Sequence, residues 1–171
     1  MKNWVKELAK KLWDVLVKKR GKELPKKRGK VLVVEDNPTW SNRLKETLEE
    51  NGFHVVVKKT KTEALEIIGK EHFHFVTVDL QLDESTLDDK KFEGWEVMKK
   101  ILDFGVQKDM PIMVLTGFPG DEENDNQRKA YRDYEATYFM EKAKWDKKEF
   151  IDTVIKAVEY MDIRFKDDYK S

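Results

Sequence analysis

Val31-Leu32-Val33-Val34-Glu35-Asp36-Asn37-Pro38 is the stretch on which the fold turns. Four branched aliphatic residues in a row, with no polar alternation, are the pattern of a strand buried on both faces. Two acids mark its end, and Pro38 suits the first turn of a helix. That helix carries Leu44 and Leu48 and is expected to stop at Asn51-Gly52. Phe53 to Val57 then reads as a second strand. Thr60 with Glu63 forms a capping-box pattern ahead of Ala64, Leu65, Ile67 and Ile68, so a second helix follows.

The alternation continues. Phe73 to Leu80 reads as a third strand, and a polar loop leads to a helix bearing Trp95, Val97, Met98, Ile101 and Leu102. Met110 to Thr116 is the fourth strand, with Pro111 at its start, where a missing N–H is tolerable. A short helix around Asn126–Tyr134 and a short strand from Thr137 to Met140 come next. The last helix, about Asp146 to Phe165, places Phe150, Ile151, Val154, Ile155, Val158 and Met161 on one face. Strands alternating with helices imply an α/β fold with a mostly parallel, doubly wound sheet covered on both faces.

Composition bounds what such a domain can do. The 171 residues carry 34 Lys+Arg and 34 Asp+Glu, yet 39% of them are hydrophobic, enough to bury a core. With no cysteine there is no disulfide, thiolate metal site or cysteine nucleophile. No apolar run approaches the ~18 residues of a membrane span. Lysines interrupt the N-terminal apolar residues too often for a signal peptide. A cytoplasmic protein is expected. The three histidines, His54, His72 and His74, lie on or beside strands and suggest no metal chemistry.

The zero net charge hides an asymmetry. Residues 1–30 hold 12 Lys/Arg and 3 Asp/Glu, a net of +9, while residues 31–171 hold 22 and 31, a net of −9. We read 1–29 as a basic amphipathic helix (Asn3 to Lys19) with its linker, and 30–171 as the globular domain. Trp4 and Trp13 on the lysine-rich segment leave several uses open: docking on its own domain, pairing in a homodimer, an acidic partner groove, or contact of residues 1–20 with an anionic membrane surface. The acidic body and the lack of a helix-turn-helix speak against DNA binding by this chain.

In parallel α/β sheets, ligands sit at the carboxyl ends of the strands. The first strand ends in Glu35-Asp36, the third in Asp79 and the fourth in Thr116, while the fifth runs into Lys142. One Asp after one strand is usually a helix cap or a loop residue. Three carboxylates, a hydroxyl and an ammonium on one sheet edge are a different matter. Carboxylates so close repel and call for a hard cation, and oxygen ligands from two strand ends suit Mg²⁺. A metal there would make one carboxylate a usable nucleophile toward phosphorus, with the hydroxyl and ammonium around the transferred group.

These residues carry a resemblance. Val31 to Pro38, then Val76-Thr77-Val78-Asp79, then Val114-Leu115-Thr116-Gly117, then Phe139-Met140-Glu141-Lys142 resemble the receiver domain of two-component response regulators over roughly residues 30–165. The resemblance implies a flavodoxin-like five-stranded sheet of order 2-1-3-4-5. It implies Asp79 as the phosphoacceptor, with Glu35, Asp36 and the backbone carbonyl of Gln81 around Mg²⁺. Thr116 and Lys142 would bind the phosphoryl group, and Phe139 would turn inward with Thr116 on activation. The implied partners are a histidine kinase or phosphotransfer protein upstream and an unidentified protein downstream. Such a module is not an enzyme beyond its self-catalysed phosphotransfer and autodephosphorylation, and it is expected to signal through protein contacts without an output domain of its own.

Three departures accompany the resemblance. The stretch from Asp79 to Gly94 is about seven residues longer than usual, and that from Thr116 to Lys142 about four. Lys142 is followed by Ala143 where the family has a cis proline. A cis bond before alanine costs about 3–4 kcal/mol, so a different local backbone is expected. Two rival readings bracket the main one. The first is a receiver-like interaction module that is never phosphorylated. The second is a haloacid-dehalogenase-type phosphatase, whose signature calls for an acid and a threonine where this chain has Gln81 and Asp83.

Overall fold

The computed structural model describes residues 28–82, 92–104, 110–120 and 125–168, with side-chain surroundings up to residue 161. The helix expected over Asn3–Lys19 lies outside the described residues. Five strands form one parallel sheet of order β2-β1-β3-β4-β5, as expected. In chain order these are β1 Gly29–Val34, α1 Pro38–Glu50, β2 Phe53–Lys58, α2 Lys61–Ile68 and β3 Phe75–Val78, followed by α3 Glu93–Phe104, β4 Ile112–Thr116, α4 Asn126–Tyr134, β5 Tyr138–Glu141 and α5 Lys147–Asp168.

Burial explains which runs are apolar. β3 and β4 are buried along their whole length and β1 from Val31 on, because each has a neighbour on both sides and helices on both faces. β2 and β5 are edges and are only partly covered. Period-two alternation sorts the side chains into two cores. Val31, Val33, Phe75, Met113 and Leu115 pack with Leu44, Leu48, Phe150 and Val154 from α1 and α5. Leu32, Val34, Val76, Val78, Ile112 and Val114 pack with Ala64, Ile68, Met98, Ile101 and Ala130 from α2, α3 and α4. Each fully buried Leu, Ile or Val contributes roughly 1.5–3 kcal/mol relative to exposure.

Local signals set the helix starts. Asn37 Oδ1 accepts from the backbone N–H groups of Thr39 and Trp40 at 3.0 and 3.2 Å, with Pro38 at the first helical position. Thr60 Oγ1 accepts from Glu63 N–H at 3.2 Å, whereas the Glu63 carboxylate accepts from Lys59 N–H, one residue earlier than a capping box predicts.

The third strand is shorter than its apolar run. Only Phe75–Val78 pairs with Val31–Val34, and Phe73 and Leu80 are buried as flanking residues. Burial, not strand pairing, accounts for their hydrophobicity. Of the histidines, His54 and His72 are exposed, and His74 Nδ1 accepts from Lys30 N–H at 3.1 Å.

Candidate functional site

The alternation that builds the cores also builds the site. Glu35 follows Val31 and Val33, Asp79 follows Phe75 and Thr77, and Lys142 follows Tyr138 and Met140, so all three continue the series facing α1 and α5. Parallel register brings them level. Val34 pairs with Val78, and Asp79 N–H donates to the Val34 carbonyl at 2.9 Å. Thr116 comes from the opposite series of β4 and is fully buried.

Lys142 ties the cluster together. Its Nζ lies 2.7 Å from Asp79 Oδ2 and 2.7 Å from Glu35 Oε2. Glu35 is 1% exposed, Asp79 6% and the Lys142 side chain 12%. A backbone N–H from Asn37 reaches Glu35 Oε1 at 3.2 Å. Gln81 meets the cluster through its N–H, 3.4 Å from Asp79 Oδ1. Thr116 Oγ1 accepts from Phe118 N–H at 3.1 Å. Phe139 is half-buried and packs against the core under α3.

The electrostatics follow from burial. Desolvation, and then the neighbouring Asp79 charge, push the Glu35 carboxyl up to about 7, against the pull of Lys142 and the Asn37 N–H. Desolvation also raises Asp79, opposed by Lys142, the Thr116 hydroxyl and the Gln81 N–H. Burial alone would lower Lys142, but the two carboxylates outweigh it and hold the ammonium above its usual range. The buried lysine therefore does not offset the desolvation of either carboxyl.

The donor set fits a hard cation. Glu35, Asp36 and Asp79 each offer a carboxylate oxygen, with all three oxygens within 4.8 Å of one another. An all-oxygen group of that size and charge matches Mg²⁺ with retained waters.

Some features here escape a linear reading. Gly94 N–H donates to the Leu80 carbonyl at 2.9 Å, and a Cβ on Gly94 would fall 2.2 Å from the Asp79 carbonyl oxygen. A glycine in the first turn of a helix was the available signal. Trp40 and Trp145, 105 positions apart in the chain, meet edge to face with centroids 5.8 Å apart, and Lys142 Nζ lies 5.4 Å from the Trp40 centroid. Beyond Lys142 the chain makes a 3₁₀ turn over Lys142–Lys144, with no cis peptide bond among the described residues.

Comparison with known proteins agrees with this geometry. Residues 31–155 match the response regulator receiver domain family. The chain is 28% identical over 99 residues to the polar-differentiation response regulator DivK of Brucella ovis, a match spanning 57% of this chain and 75% of that protein. Its fold is similar to a CheY-like receiver domain protein from Methanospirillum hungatei, with TM-score 0.65, 20% identity, and coverage of 79% of this chain and 97% of the other. It is also similar to a Burkholderia pseudomallei response regulator solved with a phosphorylated aspartic acid and a calcium ion, with TM-score 0.58, 25% identity, and coverage of 79% and 71%. The chain belongs to the response regulator receiver domain family of two-component systems. Members of this family are generally phosphoacceptors rather than classical enzymes, and they interact with histidine kinases or phosphotransfer proteins. No described helix is long and apolar enough to cross a membrane.

Proposed function

We propose that this chain accepts a phosphoryl group on Asp79 from a phosphohistidine of a kinase or phosphotransfer protein and passes the signal on through protein contacts. The observation that carries this reading is the Lys142 ammonium, 2.7 Å from Asp79 Oδ2, beside a group of three carboxylates, Glu35, Asp36 and Asp79. The phosphorylated aspartate and calcium ion of the Burkholderia relative support it by analogy.

In the transfer, a carboxylate oxygen of Asp79 forms the new P–O bond as the P–N bond to the donor imidazole breaks. The imidazole nitrogen keeps the bonding pair. Lys142 and the Thr116 hydroxyl, both within reach of Asp79, are placed to bind the oxygens of the incoming group. Glu35, Asp36, Asp79 and the Gln81 carbonyl would hold Mg²⁺, which supplies charge neutralisation between the anionic reactants. The strand-end frame keeps these groups oriented, which lowers the entropic part of the barrier. Thr116 and Phe139 form the proposed switch pair.

The test is direct. Incubation with acetyl phosphate and Mg²⁺ should add one phosphoryl group, labile to hydroxylamine as an acyl phosphate is. Asp79→Asn should abolish the gain, and Asp36→Asn should reduce it. Full labelling of Asp79→Asn would move the acceptor elsewhere. A wild-type protein that never labels would favour a phosphorylation-independent interaction module.

A further inference from the structure

A lysine ammonium on a four-carbon stem is a poor fixed point unless something beside it holds it. The residues just after Lys142 do not, because Ala143 and Lys144 are both exposed. The next side chain that packs is Trp145, whose ring lies 6.1 Å from that of the fully buried Phe150. Trp145 in turn meets Trp40 edge to face, at 5.8 Å and 86°. The Arg43 guanidinium lies 4.6 Å from the Trp40 centroid and 5.4 Å from the Trp145 centroid, bridging the two indoles. Trp145 Nε1 is buried without a hydrogen-bond partner among the described residues, so the indole is held there by packing at the expense of a polar contact.

The chain of contacts ends at Lys142, whose Nζ lies 5.4 Å from the Trp40 centroid, inside the ~6 Å range of cation–π attraction. We infer that Trp40, braced by Trp145 and through it by the core at Phe150, is a positioning residue that holds the Lys142 ammonium over Asp79 and Glu35. The inference deepens the phosphoacceptor reading, and its kinetic consequence rests on that reading. Trp40 is neither the proposed acceptor nor one of the proposed metal ligands. Its quadrupole and bulk restrict where the ammonium can go, so its loss should raise the barrier to phosphotransfer without removing a metal ligand.

The variants Trp40→Leu, Trp40→Phe and Trp145→Leu separate these effects. Trp40→Leu should slow labelling by acetyl phosphate by about three- to tenfold. Trp145→Leu should slow it by less, and Trp40→Phe should restore most of the rate because a ring face is retained. Mg²⁺ affinity should stay within about twofold of wild type, since Glu35, Asp36 and Asp79 are unchanged. A second readout needs no phosphorylation. The Lys142 ε-methylene resonances, assigned with Lys142→Arg, should be ring-current shifted in wild type and relax toward ordinary lysine values in Trp40→Leu. Unchanged Lys142 resonances in Trp40→Leu would overturn the inference whether or not the protein labels. So would an equal labelling rate, or a loss of rate matched by weakened Mg²⁺ binding and not rescued by Trp40→Phe. A wild type that shows the shift but never labels would sink the phosphoacceptor reading and leave the positioning contact standing.

Discussion

Lys142 Nζ lies 2.7 Å from Glu35 Oε2, joining the end of the fifth strand to the end of the first across 107 residues. The pair does not balance its own pocket, because Glu35 is still pushed up to about 7 by burial and by Asp79. That imbalance has a sign that can be measured.

A carboxyl whose folded pKa lies above its unfolded value binds its proton more tightly when folded. Its contribution to stability is fully present below about 4.5 and is lost as pH rises toward about 7. In EDTA, Glu35→Gln should therefore be more stable than wild type at pH 8 by roughly 1–3 kcal/mol, with the advantage gone near pH 4.5. Added Mg²⁺ should reverse the order at pH 8, since only wild type retains the full set of proposed ligands. Urea unfolding at several pH values, with EDTA and with Mg²⁺, checks both. A pH-independent difference would mean that Glu35 titrates normally.

Gly94→Ala should destabilise the domain by about 2–4 kcal/mol, because the new methyl would fall 2.2 Å from the Asp79 carbonyl oxygen and 2.6 Å from Leu80 Cα. The backbone that must yield carries Asp79, the proposed acceptor, so phosphorylation should slow as well. Thermal melts and labelling rates on the same preparation would show whether the two losses travel together.

Thr77 Oγ1 is buried with no hydrogen-bond partner among the described residues. Thr77→Val keeps the shape and removes the stranded hydroxyl, so it should stabilise the fold by about 1–2 kcal/mol. A higher urea midpoint with an unchanged slope is the expected signature, and a lower midpoint would reveal a partner for the hydroxyl.

Phe118 lies two residues beyond Thr116 and is 46% exposed, with its ring 5.7 Å from that of Phe92. Its N–H donates to Thr116 Oγ1, and an apolar side chain at this position should obstruct the in-line approach of water to a phosphorylated Asp79. Phe118→Asn should therefore speed loss of the phosphoryl group by about three- to tenfold, followed on pre-labelled, desalted protein. An unchanged or slower rate would show that Phe118 does not cover the site.

Much of this was legible in the chain itself. Unbroken branched runs such as Val31–Val34 announce strands with two buried faces, and the Thr60 and Pro38 signals announce where helices begin. The parallel sheet then follows from the alternation, and a parallel sheet places its functional groups at the strand ends where Glu35, Asp36, Asp79, Thr116 and Lys142 lie. Strand limits were less legible. Phe73 and Leu80 are as apolar as the strand they flank, because hydrophobicity reports burial and not hydrogen-bond pairing.

Tertiary structure decided what depends on approach in space. Nothing in the order of residues says that Trp145 meets Trp40 edge to face, that Gly94 must lie against the Asp79 backbone, or that the Thr77 hydroxyl has no partner among the described residues. Periodicity along a chain fixes which face a side chain takes, since that is set by the backbone geometry of its own segment. Distances of a few ångströms between segments, and the desolvation that raises Glu35, arise only when separate elements pack together.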